Sequence, residues 1–172
     1  MSIEPLSYET LDSAIALLHS VFNDEWPWDN PSFGPRLSLL SKRGGWKRWC
    51  ANSLLDFCGI KTVEYWVIPN LAEHRVDGIT GLYTKTKEPA TAWLGWGAIR
   101  PECRKQGLGT LMYNHVTDIA REMNMKKVRV YTSTHPTEAL ARMKFDQHGF
   151  STYKTRHILF TPYTMEYKEL VL

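Results

Sequence analysis

Cysteine is scarce in this chain of 172 residues, and long apolar runs are absent from it. The three cysteines, Cys50, Cys58 and Cys103, are odd in number and form no Cys-x-x-Cys pair. This pattern argues against a disulfide framework and against a thiolate zinc site, so we expect no metal. No segment approaches the length of a membrane span, and the N-terminus shows no basic-then-apolar leader. We therefore expect a soluble cytoplasmic protein with no membrane partner.

An excess of charge of one sign is also missing. The formal net charge is only +3, and the basic residues are scattered along the chain rather than gathered in one tract. Nucleic-acid binding would require a concentrated basic face, so we expect no nucleic-acid partner. A hydrophobic content of 43% in a chain of this length is enough for a sizeable core, and we expect a single domain over residues 1–172.

Hydrophobic periodicity predicts a mixed α/β (α+β) order, with antiparallel strands first and a strand–loop–helix–strand unit in the middle of the chain. Ser7 is the expected N-cap of the first helix. The predicted helices cover residues 11–22, 36–41, 46–57, 108–123 and a segment from Pro136 to Gly149. The predicted strands cover residues 62–68, 79–84, 92–99, 128–132, 152–160 and 164–171, the last two as a hairpin.

A glycine-rich turn joins the predicted strand 92–99 to the predicted helix 108–123. Glycines remove side chains where backbone must approach a ligand, and the first N–H groups of a helix are free to bind an anion. The turn lacks the Gly-Lys-Ser/Thr ending of a Walker A loop and the third glycine of a dinucleotide fingerprint. It predicts a diphosphate site, formed by Arg104, Lys105, Gln106, Gly107, Leu108, Gly109 and Thr110.

Two motifs at this spacing carry a resemblance to a known family. The first is Arg-x-x-Gly-x-Gly, preceded by an aliphatic residue and x-Pro-x-x-Arg, and it lies at residues 99–109. The second ends a helix in Gly-Phe after an alanine and an aromatic residue, and is matched by Ala141, Phe145, Gly149 and Phe150. Together they resemble the GCN5-related N-acetyltransferase (GNAT) superfamily, and residues 163–168 are similar to the last strand of that family.

The resemblance implies a fold and a cofactor. The fold is a mixed, mostly antiparallel central sheet flanked by helices, with a splayed cleft between the fourth and fifth strands. Acetyl-CoA, the implied cosubstrate, places its diphosphate on the glycine loop and its pantetheine along the fourth strand, at Gly97, Ala98 and Ile99. Arg142 and Phe145 are the implied cofactor neighbours on the following helix. The acetyl-CoA-binding core is thus expected at residues 92–150, although Gly97 could instead mark a bulge in the strand.

The proton donor of the reaction is less evident. The family commonly uses a tyrosine on the helix before Gly-Phe to protonate the departing thiolate, but this position is Phe145 here. Tyr131, Ser133 and His135 are nearby substitutes, and His135 could instead cap the turn at Pro136. A strand N–H near Ile99 is expected to meet the oxyanion charge.

The general base is expected elsewhere, because the strand at residues 92–99 contains no carboxylate. Glu64 lies in an otherwise apolar and aromatic stretch, and burial there would suit a base that works near neutrality. Strict alternation along the strand allows a second interpretation, in which Glu64 faces solvent on the same side as Trp66.

The acceptor is expected to meet residues 23–60, a loop and helical segment rich in tryptophan. Carboxylates beside aromatic rings suit a cationic amine through charge and cation–π attraction, although a solvated loop would look the same. The predicted acceptor-binding residues are Asp24, Glu25, Trp26, Trp28 and Trp96.

The sequence thus predicts an acetyl-CoA-dependent N-acyltransferase that acts on a primary amine of a small molecule. Two alternatives stay open: acetylation of a protein N-terminus or lysine, and a CoA-binding regulatory module without catalysis. The phenylalanine at position 145 favours the second alternative. Neither the identity of the acceptor nor homodimerisation is decided by the sequence.

Overall fold

A mixed sheet with helices on both faces forms the molecule, and the computed structural model describes residues 2–22 and 30–172 of it. The strands are β1 (Glu4–Pro5), β2 (Ile60–Asn70), β3 (Arg75–Lys85), β4 (Glu88–Leu94), β5 (Ala98–Ile99), β6 (Lys127–Ser133), β7 (Ser151–His157) and β8 (Thr164–Val171). The helices are α1 (Tyr8–Phe22), α2 (Phe33–Ser41), α3 (Trp46–Phe57), α4 (Leu108–Glu122) and α5 (Ala139–Gln147), with short 3₁₀ turns at Pro101–Cys103 and Pro136–Glu138.

The strands lie in the order β1-β2-β3-β4-β6-β8-β7, and β5 adds to β3 beyond the end of β4. All pairs are antiparallel except β4 with β6, which run parallel. A parallel pair needs a crossover, and here the glycine turn and α4 provide it. The structure therefore confirms the mixed, mostly antiparallel sheet flanked by helices.

Two apolar layers hold the helices to the sheet. Val63 and Tyr65 of β2 face α1, α2 and α3, where they join one buried cluster with Leu17 and Leu37. The neighbouring residue Trp66 faces the other side and joins the cluster of α4 and β6. This alternation along β2 is the period of two that a strand buried on both faces must have.

Local signals account for several boundaries. Ser7 caps α1 as predicted, because its hydroxyl accepts the Thr10 N–H at 3.3 Å and its own N–H donates to the Thr10 hydroxyl at 3.1 Å. The helix at residues 46–57 has the predicted bounds. The helix expected from Pro136 instead begins with a 3₁₀ turn and becomes α-helical at Ala139.

The strand predicted at residues 92–99 is not continuous, which is a correction. It is divided into β4 and β5 by Gly95, Trp96 and Gly97. Leu94 pairs with Leu82, whereas Ala98 pairs with Ile79, so four steps on this chain face three on β3. One extra residue is therefore inserted, and the break is a β-bulge. A pattern of apolar residues cannot report such an insertion, because both halves stay in register with the core.

Within residues 2–22 and 30–172, no helix is long and apolar enough to cross a bilayer. The same residues bring together no group of three or more histidine, cysteine or carboxylate side chains able to hold a metal ion.

Candidate active site

The glycine loop between β5 and α4 contains two residues with a left-handed backbone conformation, one on each side of Gln106. Lys105 has φ +62° and Gly107 has φ +82°. A left-handed lysine is uncommon and costs free energy, so the surrounding structure must hold it in place. Alternation of this kind turns successive N–H groups to the same side of the chain, which is how backbone forms an anion-binding concavity.

The helix that follows adds donors to the same concavity. Its first hydrogen bond runs from the Leu111 N–H to the Gly107 carbonyl at 3.0 Å. The N–H groups of residues 108–110 precede that bond and so have no acceptor within the helix. Leu108 buries its side chain against Met112, which anchors the turn. The remaining predicted loop residues are exposed, so they are free to meet a ligand.

Two loop side chains already bind backbone in the structure. The Arg104 Nε donates to the Ile99 carbonyl at 3.2 Å, and the Gln106 amide donates to the Glu102 carbonyl at 3.3 Å. These bonds hold the entrance of the loop against β5. Arg104 retains its other guanidinium donors for an anion.

A buried carboxylate ties the start of this loop to β3. Asp77 is 1% exposed and accepts hydrogen bonds from Asn70 at 3.0 Å and Arg75 at 2.9 Å. Arg100, which follows β5, lies 3.7 Å from the same carboxylate and also donates its N–H to the Asp77 carbonyl at 2.9 Å. Burial and then the Asp77 carboxylate raise the pKa of the Cys103 thiol. Cys103 is therefore a packing residue rather than a nucleophile.

The bulge opens the sheet beside the loop. Parallel pairing between β4 and β6 covers only three positions and ends at Trp93 with Arg129. Beyond it, β5 pairs with β3, whereas β6 continues along β8 as far as Ser133. The facing edges of residues 94–99 and 130–133 have no strand between them in the described structure. The result is the splayed cleft, with β6 in the place of the family's fifth strand.

Gly97, Ala98 and Ile99 lie along one edge of this cleft, next to the loop. The sequence left close approach and a bulge as alternatives for Gly97, and the structure contains the bulge. The two alternatives are compatible, because the insertion is what turns this edge away from β6. A Cβ atom on Gly97 would lie 3.7 Å from the Ile79 carbonyl oxygen, so packing of the protein does not itself demand a glycine here.

α5 lies on the α4 side of the sheet, near the end of β6. Phe145 is half-buried and packs edge-on against Phe150, with ring centroids 5.4 Å apart. Arg142 donates to the Ser133 carbonyl at 2.7 Å, so its guanidinium ties α5 to β6. Leu140 and Met143 remain exposed on the same helix, 52% and 46% respectively.

The predicted proton donors lie around the end of β6. Tyr131 is 38% exposed, and its ring centroid is 6.4 Å from that of Tyr167. The His135 Nδ1 accepts the Thr137 N–H at 3.4 Å and lies 2.7 Å from the Thr137 hydroxyl. His135 thus caps the turn at Pro136, which is the second of the two roles considered for it. Catalysis by Tyr131 or His135 stays a prediction.

Glu138 was not singled out from the sequence, yet its carboxylate organises this end of β6. It accepts hydrogen bonds from the Thr132 hydroxyl and from the Ser133 N–H and hydroxyl. Ser133 is fully buried by these contacts, so its hydroxyl is committed to Glu138 rather than to a reaction. No spacing rule in the sequence links these three residues, because the turn at Pro136 brings them together.

Glu64 is not buried among the aromatic residues that surround it in sequence. Its side chain is 49% exposed and lies 3.6 Å from the Lys42 ammonium group. It lines a small cavity with Trp66 and Met123, at the C-terminal end of α4. A helix of this length is about 22 Å long, so Glu64 is far from the glycine loop at the other end. Its role as general base stays a prediction, without the burial that motivated it.

Trp96 lies in the bulge and faces α1. Its ring packs edge-on against Phe22, with centroids 4.7 Å apart. Phe22 is the last described residue before the tryptophan-rich segment of the sequence. The other predicted acceptor residues, Asp24, Glu25, Trp26 and Trp28, lie outside the described residues, and their role stays a prediction.

Comparison with known families decides what this arrangement belongs to. The sequence model of the acetyltransferase (GNAT) family matches residues 18–150, which is most of the chain. The chain belongs to the GNAT acetyltransferase family. The matched range includes the glycine loop, the bulge and α5, so the geometry described above is that of a GNAT domain. No curated protein matches this GNAT chain in sequence.

Solved structures share the fold of this GNAT domain at low sequence identity. An aminoglycoside 6′-N-acetyltransferase complexed with coenzyme A superposes with a TM-score of 0.71 at 9% identity, over 99% of this chain and 97% of its own. The ribosomal-protein-S18-alanine N-acetyltransferase from Escherichia coli gives 0.66 at 15%, over 99% and 92%. yncA from Salmonella typhimurium, with its cofactor acetyl-CoA, gives 0.66 at 13%, over 100% and 94%. At these identities the likeness concerns the fold.

Proposed function

We propose that this GNAT chain transfers an acetyl group from acetyl-CoA to a primary amine of a small molecule. The observation that carries the proposal is the position of the glycine loop at the mouth of the open cleft. A concavity of backbone N–H groups at a helix N-terminus fits a diphosphate. The adjacent unpaired strand edge fits a linear chain of amides. Coenzyme A contains these two chemistries in that order.

Each part of the loop has a separate task in this proposal. The N–H groups of residues 107–110 hold the diphosphate, and the cationic side chains of Arg104 and Lys105 neutralise its charge. Gly109 keeps the first turn of α4 free of a side chain. Gln106 and Leu108 shape the turn, the first through the Glu102 carbonyl and the second through the core.

The cleft edge orients the rest of the ligand. Residues 97–99 present backbone groups to which pantetheine amides can pair as an added strand. The exposed apolar side chains of α5, together with Phe145 and Arg142, border the opposite side. In this proposal the thioester lies beside the bulge, and a backbone N–H near Ile99 would donate to its carbonyl oxygen.

The reaction joins the acceptor nitrogen to the acetyl carbon and breaks the carbon–sulfur bond. The amine loses one proton, and the departing CoA thiolate is a stable leaving group that can leave before it is protonated. Phe145 therefore need not be replaced by another acid, although Tyr131 and His135 are the donors nearest to the end of β6. Glu64 remains the proposed base and would act through intervening solvent, because its side chain is half exposed and lies beside the Lys42 ammonium group.

A second function is favoured by one observation, the phenylalanine at the position of the usual acid. A chain that binds CoA without turning it over would be a regulatory module. The solved structures of similar fold do not distinguish small from macromolecular acceptors, because one is an aminoglycoside acetyltransferase and another a ribosomal-protein acetyltransferase. An acceptor test is therefore required.

The experiment measures binding and turnover on the same protein. Acetyl-CoA should raise the melting temperature, because a ligand that binds only the folded state stabilises it in proportion to RT ln(1 + [L]/Kd). CoA release is then followed with aminoglycosides, polyamines, amino acids and a peptide with a free N-terminus. We expect release with at least one small amine and an acetylated product by mass spectrometry.

The outcomes separate the candidate functions. Turnover with the peptide alone would assign a protein acceptor. A thermal shift without release across the panel would assign the regulatory module. Absence of a thermal shift with millimolar acetyl-CoA, on protein shown to be folded, would overturn the cofactor site itself.

A further inference from the structure

α3 exposes an apolar face that the fold does not use. Its inner face is formed by Ala51 and Leu55, which are 3% and 4% exposed and join the core with α2 and β2. Trp46 and Trp49 are each 71% exposed, and Phe57 is 90% exposed. These values are far above those of a packed aromatic side chain, which normally loses most of its surface to the core.

The exposed aromatic residues lie on one side of the helix. At 100° per residue, positions 46, 49, 50, 53 and 57 fall within a narrow stripe, and Ala51 and Leu55 lie on the opposite side. Cys50 and Ser53, which complete the stripe, are exposed as well. The stripe thus points away from the sheet along the whole helix, about 18 Å. We call it the α3 face.

Positive charge is concentrated at the N-terminal end of α3. Residues 42–58 contain four basic residues and one acidic residue, so this short segment carries as much net charge as the whole chain. Lys42 and Arg43 precede the helix, where Lys42 pairs with Glu64 and Arg43 lies over the Tyr8 ring. In the first turn of the helix, Lys47 borders the α3 face, whereas Arg48 lies toward the side of Ala51 and Leu55. The Lys47 ammonium lies 5.8 Å from the Trp46 ring, so charge and aromatic surface are adjacent.

We propose that the α3 face docks on the surface of an anionic phospholipid bilayer, with α3 parallel to the membrane plane. A helix that presents tryptophan and phenylalanine, with a lysine beside them and further cations at its N-terminal end, has the composition of an interfacial membrane helix. The aromatic rings enter the headgroup region, and the cations meet lipid phosphates. The sequence predicted no membrane partner because no segment is long enough to span a bilayer, a criterion that does not apply to a helix lying on the membrane surface.

Charge and shape favour a bilayer over a second copy of the chain. In a dimer through the α3 face each copy would bring a segment with a net charge of +3 to the interface, and like charge opposes association. The face is a convex ridge of side chains, and a deformable bilayer accepts such a ridge without a matching groove. α3 packs on β2 and α2, and β3 and β4 separate β2 from β6. The cleft therefore stays accessible when α3 is docked.

The test is co-sedimentation of the full chain with vesicles. Wild-type protein is mixed with vesicles of phosphatidylcholine alone or of phosphatidylcholine with phosphatidylglycerol. We expect sedimentation with the anionic vesicles only, weakened by added salt. The variant Trp46→Ser/Trp49→Ser/Phe57→Ser should lose binding by tenfold or more, about the loss expected for three inserted aromatic side chains.

Matched variants distinguish this surface from exposed residues in general. The control for apolar loss is Leu159→Ser/Phe160→Ser, at side chains that are 70% and 103% exposed in the turn after β7. Lys47→Gln/Arg48→Gln should weaken binding by about fivefold for each lost charge. Lys87→Gln/Lys126→Gln removes the same charge at exposed positions elsewhere and should leave binding unchanged.

Several results would overturn the proposal. These are no sedimentation with anionic vesicles, equal sedimentation with neutral vesicles, or equal losses in the two control variants. A dimer in sedimentation velocity that the triple variant abolishes would assign the α3 face to a second copy instead. None of these measurements uses acetyl-CoA, so the outcome is independent of the function proposed above.

Discussion

The Tyr65 hydroxyl accepts a hydrogen bond from the Trp96 N–H at 3.3 Å, and so connects β2 to the bulge that opens the cleft. β3 lies between these two residues, and the tyrosine reaches across it because glycines leave room. Cβ atoms on Gly34, Gly81 and Gly95 would lie within 2.5, 2.4 and 2.7 Å of the Tyr65 side chain. The buried Tyr65 ring thus supports the bulge. The three glycines around it leave the space that the ring and its hydroxyl occupy.

Gly81→Ala is expected to destabilise the protein. Its Cβ would overlap the Tyr65 ring, and overpacking of a core costs about 1–3 kcal/mol. Urea unfolding measures the change. Gly44→Ala is the matched control, because a Cβ there meets no atom within 4 Å. An unchanged free energy of unfolding in Gly81→Ala would show that the ring is not confined as described.

Tyr65→Phe should affect cofactor binding more than folding. The substitution keeps the ring but removes the hydroxyl that accepts the Trp96 N–H. Loss of one hydrogen bond is worth about 1 kcal/mol, so we expect acetyl-CoA affinity to fall about fivefold as the bulge shifts. Calorimetric titration measures it, with Tyr8→Phe as the control, because that hydroxyl donates to the Leu39 carbonyl at the end of α1 opposite Phe22 and Trp96. Equal affinities in wild type and Tyr65→Phe would show that the Tyr65 hydroxyl does not contribute to cofactor binding.

Gly109→Val should abolish cofactor binding while the protein stays folded. A Cβ at this position touches only Ile99, at 3.4 Å, so the protein itself tolerates a side chain there. A branched side chain would intrude on the diphosphate, and we expect affinity to fall by at least about tenfold. Gly109→Ala is the matched control, since the family pattern accepts alanine at this position.

Gly107→Val should also lose binding but gives a less direct test. Gly107 has a left-handed backbone, so valine there strains the fold as well. CoA titration and a melting curve on each variant separate the two effects. Wild-type affinity in a well-folded Gly109→Val protein would count against the loop as the diphosphate site.

Phe145→Tyr should leave activity intact or raise it. The change restores the hydroxyl of the family's usual acid, and general-acid help is worth about 10²–10⁴-fold where protonation limits the rate. If thiolate departure is already fast, the rate should be unchanged. Steady-state CoA release measures it. Phe150→Tyr is the matched control, which adds a hydroxyl to a neighbouring ring. Phe150 is 4% exposed, so we expect this hydroxyl to lower the free energy of unfolding by about 1–3 kcal/mol.

A loss of more than about tenfold in Phe145→Tyr, without unfolding, would mean that no hydroxyl fits beside the thioester. Phe145 would then no longer be the spatial counterpart of the acid. Tyr131 and His135 would be the remaining donors to test by substitution.

Stability should fall as the pH drops through the titration range of histidine. Burial lowers the pKa of His115, and Asp118 and Glu122 offset this only in part. The His115 Nε2 is buried and, among described residues, has no hydrogen-bond partner, so a proton there would be unsolvated. Below about pH 6.5 the unfolded chain takes up the proton before the folded protein does, so acid favours unfolding.

His115→Phe should reduce this dependence. His115 packs edge-on against Trp66, with centroids 5.1 Å apart. Phenylalanine keeps an aromatic ring at this position but has no group that titrates. The free energy of unfolding in urea, measured between about pH 8 and about pH 5.5, gives the slope. His148, whose pKa is also lowered, first by burial and then by Lys144, should contribute to the slope that remains. An equal slope in wild type and His115→Phe would contradict the assignment.

The sequence by itself determined the order of the elements and the identity of the loop. Apolar periodicity placed α1, α3 and α4 closely, because a helix that buries one face repeats every 3.6 residues wherever it lies. Paired glycines and cations at a strand-to-helix turn predicted the anion site, since the donors come from the local backbone. These features depend on neighbours in the chain.

Only the tertiary structure decided what depends on distant residues. The bulge in the strand at residues 92–99 appears when β3 supplies a register, and Tyr65 acquires a role when Gly34, Gly81 and Gly95 surround it. Glu64 and the α3 face show the same dependence. Alternation correctly allowed Glu64 to share a face with Trp66, but exposure depends on which elements cover that face. The sequence assigned residues 46–57 to a helix but not its buried side; the core ends at Ala51 and Leu55 and leaves Trp46 and Phe57 exposed, because burial is set by packing between segments far apart in sequence.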